Sequence, residues 1–205
     1  VSACEAAVRL RPDQVSYHVG LMNTLTKAGR AEAAEEACRK AVALQPDSAV
    51  LHSDYGVRLR EVGRFEAAAD SYRQALALKP EYAQALYNRA IALQHLRRQD
   101  EVAVSLARLL ELVPDFPFAP GMLLHAQMHC CDWSKFAPAV DAINQGVRAR
   151  KRVEEPFGYL GIADSADEQR ICAEVFAAVR APVAPAPMWN GEIWGNAKIR
   201  IGYVS

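Results

Sequence analysis

The stretch "AVLHSDYGVRLREVGRFEAAADSYRQALALKP", residues 49–80, decides the fold. Apolar residues recur in it at helical spacing on both sides of Gly63, a residue suited to a tight turn. The pattern predicts two antiparallel helices, Ala49–Glu61 and Phe65–Lys79. Pro80 ends the second helix, because a residue that precedes proline avoids the α region.

This pattern recurs along the chain every 34 residues. Four prolines keep that interval, and an acidic residue follows each of them: Pro12, Pro46, Pro80 and Pro114. The period and its small residues, among them Gly56 and Ala68, resemble the tetratricopeptide repeat (TPR). One such helix pair cannot bury its apolar face alone, so stacking of repeats creates the core. We therefore expect an all-α TPR right-handed superhelix, which is an α-solenoid.

The chain is expected to divide into seven parts. The third full repeat fits loosely, and the spacing of the sequence repeat lapses after Pro114. The parts are 1–14, the second helix (helix B) of a partial repeat; 15–48, 49–82 and 83–116, three full repeats; 117–152, a degenerate TPR-like helix pair; 153–197, a helix and Pro-rich linker; and 198–205, a strand. The strand "KIRIGYVS" has no partner strand in this sequence, and there is no initiator Met, so we expect a piece of a longer protein.

The resemblance to TPR proteins implies a groove, lined by the first helix of each repeat, that binds peptides or protein segments. The residues expected to line it are Asn23, Asp54, Val57, Tyr87, Asn88 and Ile91. Asparagine has a low helix propensity, so its presence inside a helix calls for an explanation. Its amide can both donate hydrogen bonds to a peptide backbone and accept them from it. The alternative is that these residues are merely solvated. His18 and His52 occupy equivalent positions one repeat apart and are expected to pack between helices.

His125 and His129 lie four residues apart on a predicted helix, next to Cys130, Cys131 and Asp132. That arrangement raises a zinc hypothesis, but adjacent cysteines on a helix diverge and no second ligand pair exists. A packed helix turn is favoured, with no metal site. The sequence also holds no phosphate-binding loop and no nucleophile–base motif, so no cofactor is expected.

Composition excludes several classes of partner. Lys+Arg and Asp+Glu both number 24, a balance that argues against dedicated binding to nucleic acid or to an anionic membrane. No apolar run approaches the roughly 18–20 residues that span a bilayer. Five cysteines without regular spacing favour free thiols in a reducing cytoplasm.

Motifs after the repeats carry a more specific resemblance. "CDW" (Cys131–Trp133), "EPFGYL" (Glu155–Leu160), a Pro-rich stretch and "KIRIGYVS" (198–205) follow one another. This order resembles the bacterial O-linked N-acetylglucosaminyltransferase (SPINDLY-like) family. The resemblance implies a parent enzyme that moves N-acetylglucosamine from UDP-GlcNAc to Ser or Thr of acceptor proteins. The final strand would begin its catalytic domain.

The same resemblance places UDP-GlcNAc and the catalytic residues beyond Ser205. We therefore expect the 205 residues alone to be non-catalytic and to recruit acceptor proteins. The alternative is a stand-alone TPR adaptor for protein–protein interaction, without enzymatic activity.

Overall fold

The computed structural model describes residues 1–180, which form eleven helices. They are α1 (Ser2–Leu10), α2 (Val15–Lys27), α3 (Ala31–Leu44), α4 (Ala49–Glu61), α5 (Phe65–Leu78), α6 (Ala83–His95), α7 (Gln99–Leu112), α8 (Ala119–His129), α9 (Phe136–Arg148), α10 (Pro156–Tyr159) and α11 (Ala166–Arg180). The strand expected at 198–205, and the linker that precedes it from residue 181, lie outside the described residues.

The helices stack in chain order as an α-solenoid, which confirms the predicted fold class. Helices α2 and α3, α4 and α5, and α6 and α7 form antiparallel pairs, and each pair packs on the next. The helix predicted at Ala49–Glu61 is observed with those bounds, and its partner ends at Leu78, where Lys79 precedes Pro80.

The turn inside each helix pair has the same left-handed backbone geometry. Gly29, Gly63, Arg97 and Cys131 have φ angles of 70°, 77°, 59° and 56°, and they stand 34 residues apart. The residue after each turn position donates its backbone N–H to the carbonyl five residues earlier; Asp132 does so at 2.9 Å. This pattern closes the ends of helices. The geometric period therefore continues through α8 and α9, where the sequence period lapses.

The largest core lies between α4 and α8. It includes Leu59, Ala68 and Tyr72, all fully or almost fully buried. A separate core joins α8, α9, α10 and α11 around Tyr159, which has no exposed surface. The second core holds the C-terminal helices against the end of the repeat stack.

The two equivalent histidines each bind a carbonyl of the preceding turn. His18 Nε2 donates to the Pro12 carbonyl and His52 Nε2 to the Pro46 carbonyl, both at 2.8 Å. Each imidazole thus ties a helix to the turn before it.

Candidate functional site: the face of the first helices

The predicted groove face belongs to α2, α4 and α6, and α4 contacts α6 directly. We call this surface the groove. Its six predicted residues differ in accessibility. Asn23 is exposed and Asn88 is buried, whereas the other four are partly exposed: Asp54, Val57, Tyr87 and Ile91.

The two asparagines are not equivalent. Within residues 1–180, Asn23 makes no side-chain hydrogen bond, so its donor and acceptor are both free for a ligand. Asn88 is only 7% exposed, and its Oδ1 accepts from Gln84 Nε2 at 3.3 Å. The sequence prediction treated both amides alike, but in the structure the Asn23 side chain is exposed and the Asn88 side chain is largely buried.

Asp54 places a carboxylate on α4, and burial raises its pKa, while the nearby charge of Arg58 acts in the opposite direction. Arg58 is itself held in place, because its Nη1 donates to Thr26 Oγ1 at 2.9 Å and to Glu61 Oε2 at 2.7 Å. Arg58 therefore fixes α4 to α2 and is not a free cation.

Tyr87 marks where the repeats meet the C-terminal helices. Its ring centroid lies 4.9 Å from that of Phe116. Burial raises the pKa of the Tyr87 phenol, and the charge of Glu155 raises it further, whereas those of Arg180 and Arg60 lower it. Glu155 and Arg180 thus lie near the Tyr87 end of the groove.

A pocket of about 680 Å³ adjoins this end of the groove. We call it the α10 pocket. It combines residues of α6, α7 and α8 with the loop and helix around α10. Its lining consists of Gln94, Gln99, Met122, His125, Ala126, His129, Glu154, Glu155, Phe157, Gly158, Leu160 and Gly161.

Glu154 is the least exposed polar side chain in this lining. Only 3% of its side chain is exposed, and its Oε2 lies 3.2 Å from His125 Nε2. The two groups attract each other by charge, and this contact raises the pKa of His125 against the opposing effect of burial. The ring N–H is not directed at the carboxylate, however, so neither Nε2 nor Oε2 has a hydrogen-bond partner.

Two glycines make room for this carboxylate. A Cβ on Gly121 would lie 2.0 Å from Glu154 Oε2, and a Cβ on Gly158 would lie 2.5 Å from His125 Nε2 and 2.8 Å from Glu154 Oε1. The Glu155 backbone N–H donates to Oε1 at 2.8 Å. Glu154 is therefore enclosed by α8 on one side and by α10 on the other.

Sequence reasoning missed Glu154, and the available signal was weak. His125 was singled out for a zinc hypothesis with His129 and Cys130. In the structure its partner is a carboxylate from a distant loop, and within residues 1–180 no group of three or more His, Cys, Asp or Glu side chains is arranged to hold a metal ion. The glycines that enclose Glu154 were the available signal, but glycine has many other roles.

Comparison with known families finds tetratricopeptide repeats in this chain. One profile, described as a tetratricopeptide repeat, matches residues 1–49, and another, described as a TPR repeat, matches residues 56–96. Both matches fall within the stacked helix pairs of the α-solenoid. No curated protein matches the chain. Among residues 1–180, no helix is both long and apolar enough to cross a membrane.

Solved structures show the same fold at low sequence identity. A crystal structure of MamA protein is 18% identical, with a TM-score of 0.62, and the match covers 91% of this chain and 86% of that one. The first TPR of Spaghetti (RPAP3), bound to the HSP90 peptide SRMEEVD, is 22% identical over 57% of this chain and 93% of that one, with a TM-score of 0.54.

A third structure is the second TPR domain of human RPAP3 in complex with the HSP70 peptide SGPTIEEVD. It is 23% identical over 54% of this chain and 92% of that one, with a TM-score of 0.51. The three similarities support the α-solenoid fold of this chain.

Proposed function

We propose that this protein is a scaffold whose groove binds extended segments of other proteins. The observation that carries the proposal is the exposed amide of Asn23 on the first helix of a TPR-like pair, with the partly exposed Val57 at the equivalent position of the next pair. Such an amide pairs with a peptide backbone of any sequence. The peptides held by the two RPAP3 domains support a peptide ligand for this fold.

We further propose that the scaffold serves a glycosyltransferase. Support comes from the order of "CDW", "EPFGYL" and "KIRIGYVS" behind the repeats, which resembles the O-linked N-acetylglucosaminyltransferase family. In this proposal a catalytic domain beyond Ser205 binds UDP-GlcNAc and modifies Ser or Thr of the protein that the groove holds. The competing proposal is that the chain is an adaptor without enzymatic activity, and its only support is the presence of the repeats.

Peptide titration tests the binding proposal. The probe is a fluorescent pool of nonapeptides with both termini blocked, titrated with the 205-residue chain. Loss of one hydrogen bond costs about 0.5–1.5 kcal/mol, so Asn23→Ala should weaken binding about two- to tenfold. Gln74→Ala is the matched control, because Gln74 is an exposed amide on α5, outside the groove.

Equal affinities of the Asn23 variant and the parent would overturn the groove assignment, provided that both have the same helical circular dichroism. The enzymatic part needs a separate assay. A chain that continues beyond Ser205 should transfer labelled N-acetylglucosamine from UDP-GlcNAc to a protein acceptor, and the 205-residue chain should not. Absence of transfer by the longer chain would favour the adaptor.

A further inference from the structure

The α10 pocket has an aromatic wall that faces solvent. Phe157 is 89% exposed and Leu160 is 57% exposed, although both flank the fully buried Tyr159. Tyr159 anchors this short helix, since its hydroxyl lies within hydrogen-bond distance of two acceptors, Asn144 Oδ1 at 2.8 Å and Glu168 Oε2 at 2.9 Å. The exposed ring of Phe157 is therefore held in place by a rigid base and is not part of a loose loop.

The pocket lining contains acidic side chains but no Lys or Arg. The acidic residues are Glu154 and Glu155. His125 lies 3.2 Å from Glu154, and the half-exposed Glu155 at the rim has only a loose, exposed ion pair with Arg180, which lies outside the lining. The Glu154 carboxylate is itself inaccessible, because its Oε2 has almost no exposed surface and lies against Gly121 and His125. The carboxylate that a ligand can reach is therefore that of Glu155.

The pocket adjoins the groove on helix α6. Gln94 lines it from α6, the helix that also carries Tyr87 and Ile91. A segment that follows the groove as far as Ile91 therefore ends one helical turn from Gln94, at the edge of the α10 pocket.

We propose that the α10 pocket binds a Lys or Arg side chain of the protein segment that occupies the groove. The methylene groups of that side chain pack on Phe157 and Leu160, and its cation lies between the face of Phe157 and the carboxylate of Glu155. This inference rests on the proposed function, because the groove delivers the segment. It adds a preference for a basic residue at one position.

The chain already shows this kind of contact next to the pocket. The guanidinium of Arg180 lies 5.4 Å from the centroid of the Phe176 ring and 3.7 Å from Glu155 Oε1. A cation thus sits against an aromatic ring and Glu155 at the same time. The side chain of Arg180 is 66% exposed and that of Glu155 is 49% exposed, so both groups of this ion pair remain in contact with solvent.

Three pools of nonapeptides with blocked termini test the proposal by fluorescence anisotropy. They carry Arg, Gln or Glu at one fixed position and are otherwise random. The Arg pool should bind the parent chain about fivefold more tightly than the Gln pool, and the Glu pool most weakly. Phe157→Leu, which keeps apolar area but removes the ring, and Glu155→Gln should each abolish the difference between Arg and Gln.

Matched controls separate this site from the groove and from the general surface. Leu160→Ala should reduce binding of the Arg pool, whereas Leu10→Ala should not, because Leu10 is equally apolar, 83% exposed and remote from the pocket. Asn23→Ala should weaken all three pools by the same factor, because its contact is to the backbone.

The outcomes are distinguishable. If Asn23→Ala weakens binding but the three pools bind the parent equally, the pocket inference is overturned and the proposed function stands. The pocket inference is also overturned if the Arg preference survives both Phe157→Leu and Glu155→Gln. If no pool binds, or if Asn23→Ala changes nothing, the proposed function fails and the pocket inference fails with it.

Discussion

Gly56 lies so close to Tyr72 that a Cβ on the glycine would be 2.6 Å from the tyrosine ring. The ring is fully buried, so it has no free space into which it could move. The absence of a side chain at Gly56 is therefore what allows α4 to approach α5.

We expect Gly56→Ala to lower the free energy of unfolding by about 1–3 kcal/mol, because overpacking outweighs the better helix propensity of alanine. Gly20 is the matched control: it lies within α2, and a Cβ there would meet no atom within 4 Å. Gly20→Ala should raise the free energy of unfolding by about 0.5–1 kcal/mol. Urea denaturation measures both, and shifts of the same sign would contradict this packing.

Ala68 offers a second test of the same helix contact. Ala68→Leu inserts a bulky side chain at a position with no exposed surface, at a cost of about 1–3 kcal/mol. Ala67→Leu changes the adjacent, exposed position and should leave the urea midpoint almost unchanged. An unchanged midpoint for Ala68→Leu would show that the helix register is wrong.

Arg97 and Cys131 occupy turn positions that Gly29 and Gly63 fill in the earlier repeats. Their φ angles of 59° and 56° cost an L-residue about 1 kcal/mol relative to glycine. Arg97→Gly and Cys131→Gly should therefore each raise the melting temperature, and Gly63→Ala should lower it. Destabilisation by both glycine substitutions would mean that these side chains contribute more than the strain costs.

The contact between His125 and Glu154 predicts a pH-dependent stability. The pKa of His125 is raised above its usual value of 6.5 by the Glu154 carboxylate. Protonated His125 thus stabilises the fold fully below pH 6.5, and this contribution is lost as the pH rises through the raised pKa. His125→Gln should remove this part of the pH dependence and, by leaving a buried carboxylate unpaired, cost about 3 kcal/mol near pH 6.

His129→Gln is the control for this pH effect, since His129 lies one helical turn away and is exposed. Thermal unfolding between pH 5.5 and 8.5 compares the two variants with the parent. Identical pH profiles for the His125 variant and the parent would show that the ion pair adds no stability.

The repeat fold could be predicted from the sequence because its signals are local and recur. Glycine at Gly29 and Gly63 and proline at Pro46 and Pro80 mark the ends of helices directly. The fourth turn, at Cys131, could not be found in this way, because cysteine carries no preference for a left-handed backbone. Only the geometry shows that the period continues.

For the candidate groove, helix spacing predicts which helix face each residue belongs to but not how accessible the residue is. Helix spacing places Asn23 and Asn88 on the same kind of face, yet burial of Asn88 depends on neighbours that the spacing does not specify. The α10 pocket could not be predicted from helix spacing, because His125 and Glu154 come from segments that meet only through the core around Tyr159.

The stacking of each helix mainly on its neighbours in the chain has a consequence for local unfolding. Few contacts link distant parts of such an array, so its opening reactions are those of a one-dimensional chain of units. Amide hydrogen exchange should be slowest in α5 and α6, where the largest core lies, and fastest in α1, which has no buried residue. A bound segment that touches several helices would join these separate units into one cooperative block.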